Sequence, residues 1–390
     1  MAALMALNAL AIDMMLPALP AIARGLGVSH PNDQQYVIIA YTVGFGAGQI
    51  VWGPLADRFG RRPLLIVGLS LYALLAIGCA VAPTFALLLA GRAAMGAAAA
   101  ATRVLVTAMV RDLFEGEAMA QVMSLVFMVF IIVPVIAPSI GQAILTVAPW
   151  PAIFGALAAY AAVVLVWSLV RLPETLHPED RRSLAPSAIL DAARCVFADR
   201  LAVGYTLAST ALFGGLAAYI ASIQQIIADA FHAPHSVPLA FAACAAPMAG
   251  AAFTNSRIVG RFGLRQVGHA GLAGFVLVSA IHWAVTISGH ESLALFVGFQ
   301  ALSLIAFAFC SANFSTLAMT NMEAIAGTAS SVMGVTSTVG GALIGLAIGQ
   351  AFDGTVLPFL TGMLLCGVAA LVVVALTERG RLFEKLAPTG

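Results

Sequence analysis

Gly53-Pro54-Leu55-Ala56-Asp57-Arg58-Phe59-Gly60-Arg61-Arg62-Pro63 is a charged run set between two long apolar stretches, about residues 36–52 and 64–82. Three arginines and one aspartate do not sit in hydrocarbon, so the run reads as a tight hairpin between two membrane helices. About two hundred residues later, Arg261-Phe262-Gly263-Leu264-Arg265 repeats Arg58-Phe59-Gly60-Arg61-Arg62. The same turn at the same place in each half marks a duplicated membrane protein.

The composition agrees. Hydrophobic residues make up 62% of the 390 and charged residues 9%, against about a quarter charged in soluble domains. A water-soluble fold is excluded, and the lipid bilayer is the expected surrounding. A net charge of +1 gives no reason to expect nucleic acid as a partner. The five cysteines, Cys79, Cys195, Cys244, Cys310 and Cys366, are scattered and read as packing residues, with no metal-ligand spacing. The first apolar run carries Asp13 and leads into Pro17 and Pro20, which does not suit a cleavable signal. The chain opens almost inside a helix, so a short native N-terminal tail is expected to precede it.

A spanning helix needs about 20 mostly apolar residues. Charge and turn signals divide the chain into twelve such spans: 2–23, 35–56, 63–82, 85–110, 118–148 and 152–170 in the first half, then 202–228, 237–254, 267–287, 293–319, 328–352 and 356–376. The expected architecture is all-α, with two pseudo-symmetric six-helix bundles at 1–171 and 201–390 joined by a linker at 172–200. Fifteen of the eighteen Lys and Arg residues, from Arg58, Arg61, Arg62 and Arg111 to Arg181, Arg182 and Lys385, alternate to one side. Positive charge marks the cytoplasmic face, so both termini are expected there. The end of the linker, 186–200, reads as a surface helix with Ile189, Leu190 and Val196 toward the membrane.

Asp13 is the one acidic residue well inside a span. An ionised carboxylate there costs about 2.5–3.5 kcal/mol on insertion scales, so it should face a partner or water. The plainer reading is a capping or packing residue beside a proline kink. Arg92 and Arg103 both lie in the fourth span. Eleven residues bring them to within about 20° of one face, about 16 Å apart along the axis. Two readings of Arg103 stand: it lines a cavity, or it snorkels toward the cytoplasm about seven residues away. Pro134 and Pro138 bend the fifth span, and Gly141 permits close helix approach. Tyr41, Gln142, Gln224, Gln300 and Asn313, with Asn8, Gln49, Gln225, His282 and Gln350, suit either a mixed polar and apolar cavity or ordinary interhelical hydrogen bonds. There is no Gly-rich loop ending in Lys-Ser/Thr, so any coupling is expected to come from an ion gradient.

The quoted run resembles the loop signature of the major facilitator superfamily, G-x-L-A-D-R-x-G-R-R, between that family's second and third helices. Asp13-Met14-Met15-Leu16-Pro17-Ala18-Leu19-Pro20 resembles the first-helix signature of its bicyclomycin/chloramphenicol-resistance subfamily of drug/proton antiporters. Arg92-Ala93-Ala94-Met95-Gly96 resembles the fourth-helix motif R-x-x-Q-G, with Met95 in place of glutamine. Val110-Arg111-Asp112-Leu113-Phe114 is similar to the same subfamily. Ala137-Pro138 stands where the antiporter motif usually has Gly-Pro, which weakens the export reading somewhat.

The resemblance implies a monomeric, proton-coupled drug exporter of the bacterial inner membrane with no enzymatic activity and no cofactor beyond the proton gradient. Its partners would be a small-molecule substrate and H⁺. It implies Asp13 as proton carrier, with Arg92 near it. It also implies a cytoplasmic latch from Gly53, Asp57, Arg58, Gly60 and Arg61, with Asp57 bridging to the start of the eleventh span near Gly327-Thr328. Two rivals remain at this stage: an exporter of endogenous metabolites such as amino acids or sugars, and a membrane receptor on the same scaffold.

Overall fold

The computed structural model describes residues 1–114, 116–176, 179, 186–322 and 325–383, with side chains for all of these except 111, 116–131 and 186–189. Arg181, Arg182 and Lys385, and the side chains of Arg111 and Ile189, therefore lie outside the described residues. The described chain is helical throughout. In order the helices are α1 (Ala2–Asp13), α2 (Leu19–Gly25), α3 (Tyr36–Phe59), α4 (Arg61–Ala80), α5 (Phe85–Leu113), α6 (Gly116–Val147), α7 (Pro151–Arg171), α8 (Pro186–Ala198), α9 (Arg200–Gln225), α10 (Val237–Phe262), α11 (Leu264–Ile287), α12 (Leu293–Ala318), α13 (Ala326–Gln350) and α14 (Leu357–Thr377).

Among the described residues eleven segments are long and apolar enough to cross a membrane, with α1 and α2 counted as one. The 32-residue α6 occupies the place of the fifth expected span. The chain forms two compact units, Met1–Pro186 and Ser187–Gly390. Within the first unit α3 and α4 pack on α5, α1 on α6, and α4 on α7; in the second, α10 and α11 pack on α12, α9 on α13, and α11 on α14. Each pairing in one unit thus has its counterpart in the other, as a duplicated chain requires.

Three boundaries differ from expectation. The first span is not one helix: α1 stops at Asp13, a short 3-10 turn covers Leu16–Ala18, and α2 resumes at Leu19. Pro17 has no amide to bond the Asp13 carbonyl, and Met15 turns to Ile12 instead of Ala11, so the ladder breaks here. The charged hairpin is also tighter than a loop. Helix α3 runs through Asp57 and Arg58 to Phe59, and α4 begins at Arg61, so Gly60 alone makes the turn, with φ +102°. Gly263 does the same between α10 and α11, with φ +89°. A positive φ of this kind suits glycine. Finally, Leu190 and Val196 do not share one face of α8. Val196 is fully buried, and the exposed apolar pair is Leu190 with Phe197, one helical repeat apart.

Close helix contact carries the packing inside each unit. In the membrane helices gain little from expelling water, so small residues that let backbones touch hold them together. A β-carbon on Gly96 of α5 would overlap the Tyr41 carbonyl oxygen of α3, and one on Gly44 would overlap the Ala93 carbonyl of α5. Trp52 closes the same seam, donating from Nε1 to the Ala97 carbonyl at 2.7 Å. In the second unit Gly345 of α13 packs in the same way against Ala217 and Ala218 of α9.

Gly96→Leu is expected to force α3 and α5 apart and to cost about 1–3 kcal/mol, read as a lowered thermal midpoint of the detergent-purified protein. Gly298→Ala, where a β-carbon meets open space, is the matched control and should leave the midpoint unchanged.

Candidate functional site

The break in the first helix builds the interior of the first unit. Because Met15 does not bond to Ala11, the Ala11 carbonyl is free to accept from elsewhere. Arg92, fully buried on α5, fills that need: its Nη2 donates to the Ala11 oxygen at 3.1 Å and its Nε to the Val37 oxygen at 3.0 Å. Its Nη1 lies 4.0 Å from the Met95 sulfur, and its guanidinium lies 4.4 Å from the Tyr41 ring centroid and 5.9 Å from that of Phe154. One cation therefore ties α1, α3, α5 and α7 together through neutral partners. Met95, the departure from the motif glutamine, still contacts the arginine through its sulfur.

Asp13 is 4% exposed and forms no ion pair among the described residues. Arg92 reaches α1 within one turn of it but bonds the backbone, so the expected Asp13–Arg92 partnership is not a direct salt bridge here. Gly141 of α6 sits on this break, and a β-carbon there would overlap the Met14 carbonyl oxygen. Pro134 and Pro138 lie within the same helix and leave it continuous. The fifth span and the break in the first thus meet at Met14, next in sequence to Asp13.

Arg103 follows Arg92 on the same face of α5 and is exposed. Its guanidinium lies 6.0 Å from the Phe45 ring centroid. Gly96 packs beside the Phe45 amide, so Phe45 stands level with the middle of α5. The Arg103 side chain therefore points back toward the N-terminal half of its helix, the direction helical side chains favour, and not toward the C-terminal end as snorkelling would require.

The uncharged polar residues divide by partner. Tyr41 donates to Asn8 at 2.9 Å and Asn313 to Asn255 at 2.8 Å, so these two are committed to helix packing. Gln142 is half-buried. Gln224 and Gln300, on the mutually packed helices α9 and α12, each keep one buried polar atom without a partner, Oε1 of Gln224 and Nε2 of Gln300.

The charged turn is wired to Asp112 and to Glu174, the second of which no motif contains. Asp57 sits in the last turn of α3, the unfavourable end of the helix dipole for a carboxylate, and is held by Arg61 Nη1 at 2.5 Å. Arg61 Nε meets Asp112 of α5 at 3.2 Å. Glu174, beyond the end of α7, caps α4. Its carboxylate accepts the amides of Arg61 at 2.9 Å and Arg62 at 3.3 Å, and those of Thr175 and Leu176. A β-carbon on Gly60 would press into that carboxylate, a second reason for glycine at the turn. Burial works to raise the Glu174 pKa, but the four amides outweigh it and hold the group below its ordinary 4.5. The only cue in the sequence was an acid a few residues past an arginine-ended helix.

This architecture of paired, repeated bundles with ionisable groups inside a bundle is that of a secondary transporter. The family model of the Major Facilitator Superfamily matches residues 1–345, and the chain belongs to that superfamily. It is 28% identical to a bicyclomycin resistance protein homolog of Haemophilus influenzae over 372 residues, 93% of this chain and 90% of the relative. It is 30% identical to the uncharacterized MFS-type transporter YdgK of Bacillus subtilis over 88% of this chain and 86% of that one. It is 36% identical to the multidrug resistance protein MdtL of Escherichia fergusonii over 186 residues, 48% of this chain and 46% of the relative. Among solved structures it resembles the E. coli xylose transporter XylE, with TM-score 0.76 over 99% of this chain and 98% of that one at 13% identity. It also resembles the human organic anion transporter MFSD10, with TM-score 0.63 at 19% identity over 96% of each chain. The protein is thus a multi-pass membrane transporter and not an enzyme.

The Glu174 cap carries a pH signature. Its folded pKa lies below the ordinary value, so its contribution is complete above about pH 4.5 and is lost as pH falls through the folded value. Glu174→Gln should cost on the order of 1 kcal/mol at neutral pH. Thermal midpoints of the two proteins should converge as pH is lowered below about 4.5, through the folded value.

Proposed function

We propose that the protein is a proton-coupled exporter of drug-like small molecules in the bacterial inner membrane, acting as a monomer by alternating access with both termini cytoplasmic. The observation that carries this reading is the buried, unpaired Asp13 at the break of the first helix, one turn from the fully buried Arg92. A carboxylate in that setting is far cheaper to hold protonated than ionised, and a fixed cation nearby makes the ionised form attainable when the site hydrates. Asp13 would therefore take up and release the proton, and Arg92 would set the local field. The relatives named for bicyclomycin and multidrug resistance support export of such compounds, and the arginine distribution supports the orientation.

Arg103 would add selectivity. With Arg92 near Asp13 and Arg103 further along the same face of α5, the interior would carry a positive surplus whenever Asp13 is protonated, which disfavours cationic drugs. Neutral, zwitterionic or weakly acidic compounds would be the preferred class.

Reconstituted in proteoliposomes under an imposed pH gradient, Asp13→Asn should abolish substrate-dependent proton flux while the protein remains monodisperse. Uphill export by that variant would assign the proton, or the coupling ion, elsewhere. Arg103→Ala should extend the transported range toward lipophilic cations in a substrate panel. An unchanged range would remove the arginine from the selectivity argument.

A further inference from the structure

At the end of the second unit where α9 and α11 begin and α14 stops, Arg200, Arg265, Glu378, Arg379 and Arg381 line a cleft of about 250 Å³. Four guanidinium groups share it with one carboxylate, and that carboxylate is already engaged. Glu378 lies 3.1 Å from Arg265 Nε and accepts from the Tyr205 hydroxyl at 2.5 Å. Tyr205 in turn meets His269 Nε2 at 3.0 Å. Asp199, the acid next to Arg200, is turned away into helix capping: its Oδ1 accepts the Ala202 amide at 2.8 Å and its Oδ2 the Asn321 side chain at 2.8 Å. Among the described residues Arg200, Arg379 and Arg381 form no ion pair.

The matched end of the first unit sets the contrast. There Asp57 and Asp112 hold Arg61, the Leu169 carbonyl takes Arg62 at 2.7 Å, and Glu174 takes both arginine amides. At the first unit's hairpin both guanidiniums after the turn glycine are engaged, Arg61 by two carboxylates and Arg62 by a carbonyl, whereas in the second unit's cleft only Arg265 is paired among the described residues.

The tail holds Arg379 and Arg381 in place. After α14, Arg379 adopts φ +53° and Gly380 φ +77°, which turns the chain back over the cleft. The Gly380 amide donates to Ala375 at 2.8 Å, the Phe383 amide to His269 Nδ1 at 3.1 Å, and Gln266 to the Phe383 carbonyl at 3.1 Å. Arg379 and Arg381 are therefore carried on a segment bonded to α11, although both remain exposed.

We propose that this cleft binds a phosphate group, supplied by the headgroup of an anionic phospholipid. Arg200 opens α9, Arg265 lies in the first turn of α11 and Arg379 lies just past α14, so the guanidiniums stand where three spans end, at the level of lipid phosphates. Planar guanidinium forks match phosphate oxygens, and basic pockets between spans are the recognised form of headgroup binding.

Native mass spectrometry of the detergent-purified protein, titrated with phosphatidylglycerol or phosphatidylethanolamine, tests this, with inorganic phosphate as competitor. Wild type should retain phosphatidylglycerol in preference to phosphatidylethanolamine. The double variant Arg379→Gln/Arg381→Gln should weaken that binding by about tenfold or more, and Arg379→Lys/Arg381→Lys, which keeps the charge but loses the planar fork, should weaken it by less than the glutamine pair. Displacement of the lipid by inorganic phosphate would mark phosphate as the recognised group. Binding of inorganic phosphate that the glutamine variant loses, with no lipid preference, would assign the site to a soluble phosphate compound. Phosphatidylglycerol binding that is equal in wild type and the glutamine variant, and indifferent to inorganic phosphate, would overturn the proposal.

Discussion

Arg92 and the broken first helix depend on each other. A membrane interior offers no water to a carbonyl that has lost its helical donor, and a buried guanidinium needs acceptors. Pro17 and the local 3-10 turn disrupt the ladder, and the Ala11 oxygen it exposes accepts from Arg92. Each would be costly alone; together they let a cation and a helix break persist in the centre of the first unit. The seam between α3 and α5, with glycine on both sides, brings Arg92 close enough to reach α1 and α3 at once. Asp13 is then left as the acid at the break with no cation bonded to it, a group whose charge state is decided by access to water.

The two units share a fold and differ in how they treat charge at matching places. Both make their central hairpin with one positive-φ glycine, and both place a glutamate after their last helix, Glu174 in one and Glu378 in the other. In the first unit the glutamate caps α4 through backbone amides, Asp57 and Asp112 both hold Arg61, and the Leu169 carbonyl takes Arg62. In the second the glutamate is taken by Arg265 and Tyr205, and the arginines after α14 are left over. Duplication supplied one scaffold, and divergence of a few charged side chains gave its two copies different surfaces.

Much of the fold is legible in the amino-acid sequence. Apolar length, arginine placement and the repeated turn led to two six-helix halves, because a bilayer permits few arrangements of such segments. The site was legible in part: Asp13, Arg92 and Gly141 were singled out by residue type and depth, and they lie on the helices that meet at the break. The partners were not legible. Glu174 lies 113 residues from Arg61, and an acid just past a helix end does not say which distant amides it will cap. Tyr41 and Asn313 suit either a cavity or an interhelical bond by sequence and are bonded to Asn8 and Asn255, since a polar side chain in an apolar helix has the same signature whether it faces a substrate or a neighbouring helix.

The sequence by itself determined that the chain crosses a membrane many times, that it is a duplication, and which ionisable residues lie at depth, because burial in hydrocarbon constrains composition along every span. Tertiary structure decided what those residues touch. It showed the first helix interrupted at Asp13, Arg92 bonded to backbone instead of to the carboxylate, and Arg103 turned toward the middle of its helix. Each outcome depends on the distance between two helices and the rotation of each about its axis. Those quantities are set by the close contacts of glycine and alanine across a seam, and no single span contains both sides of it.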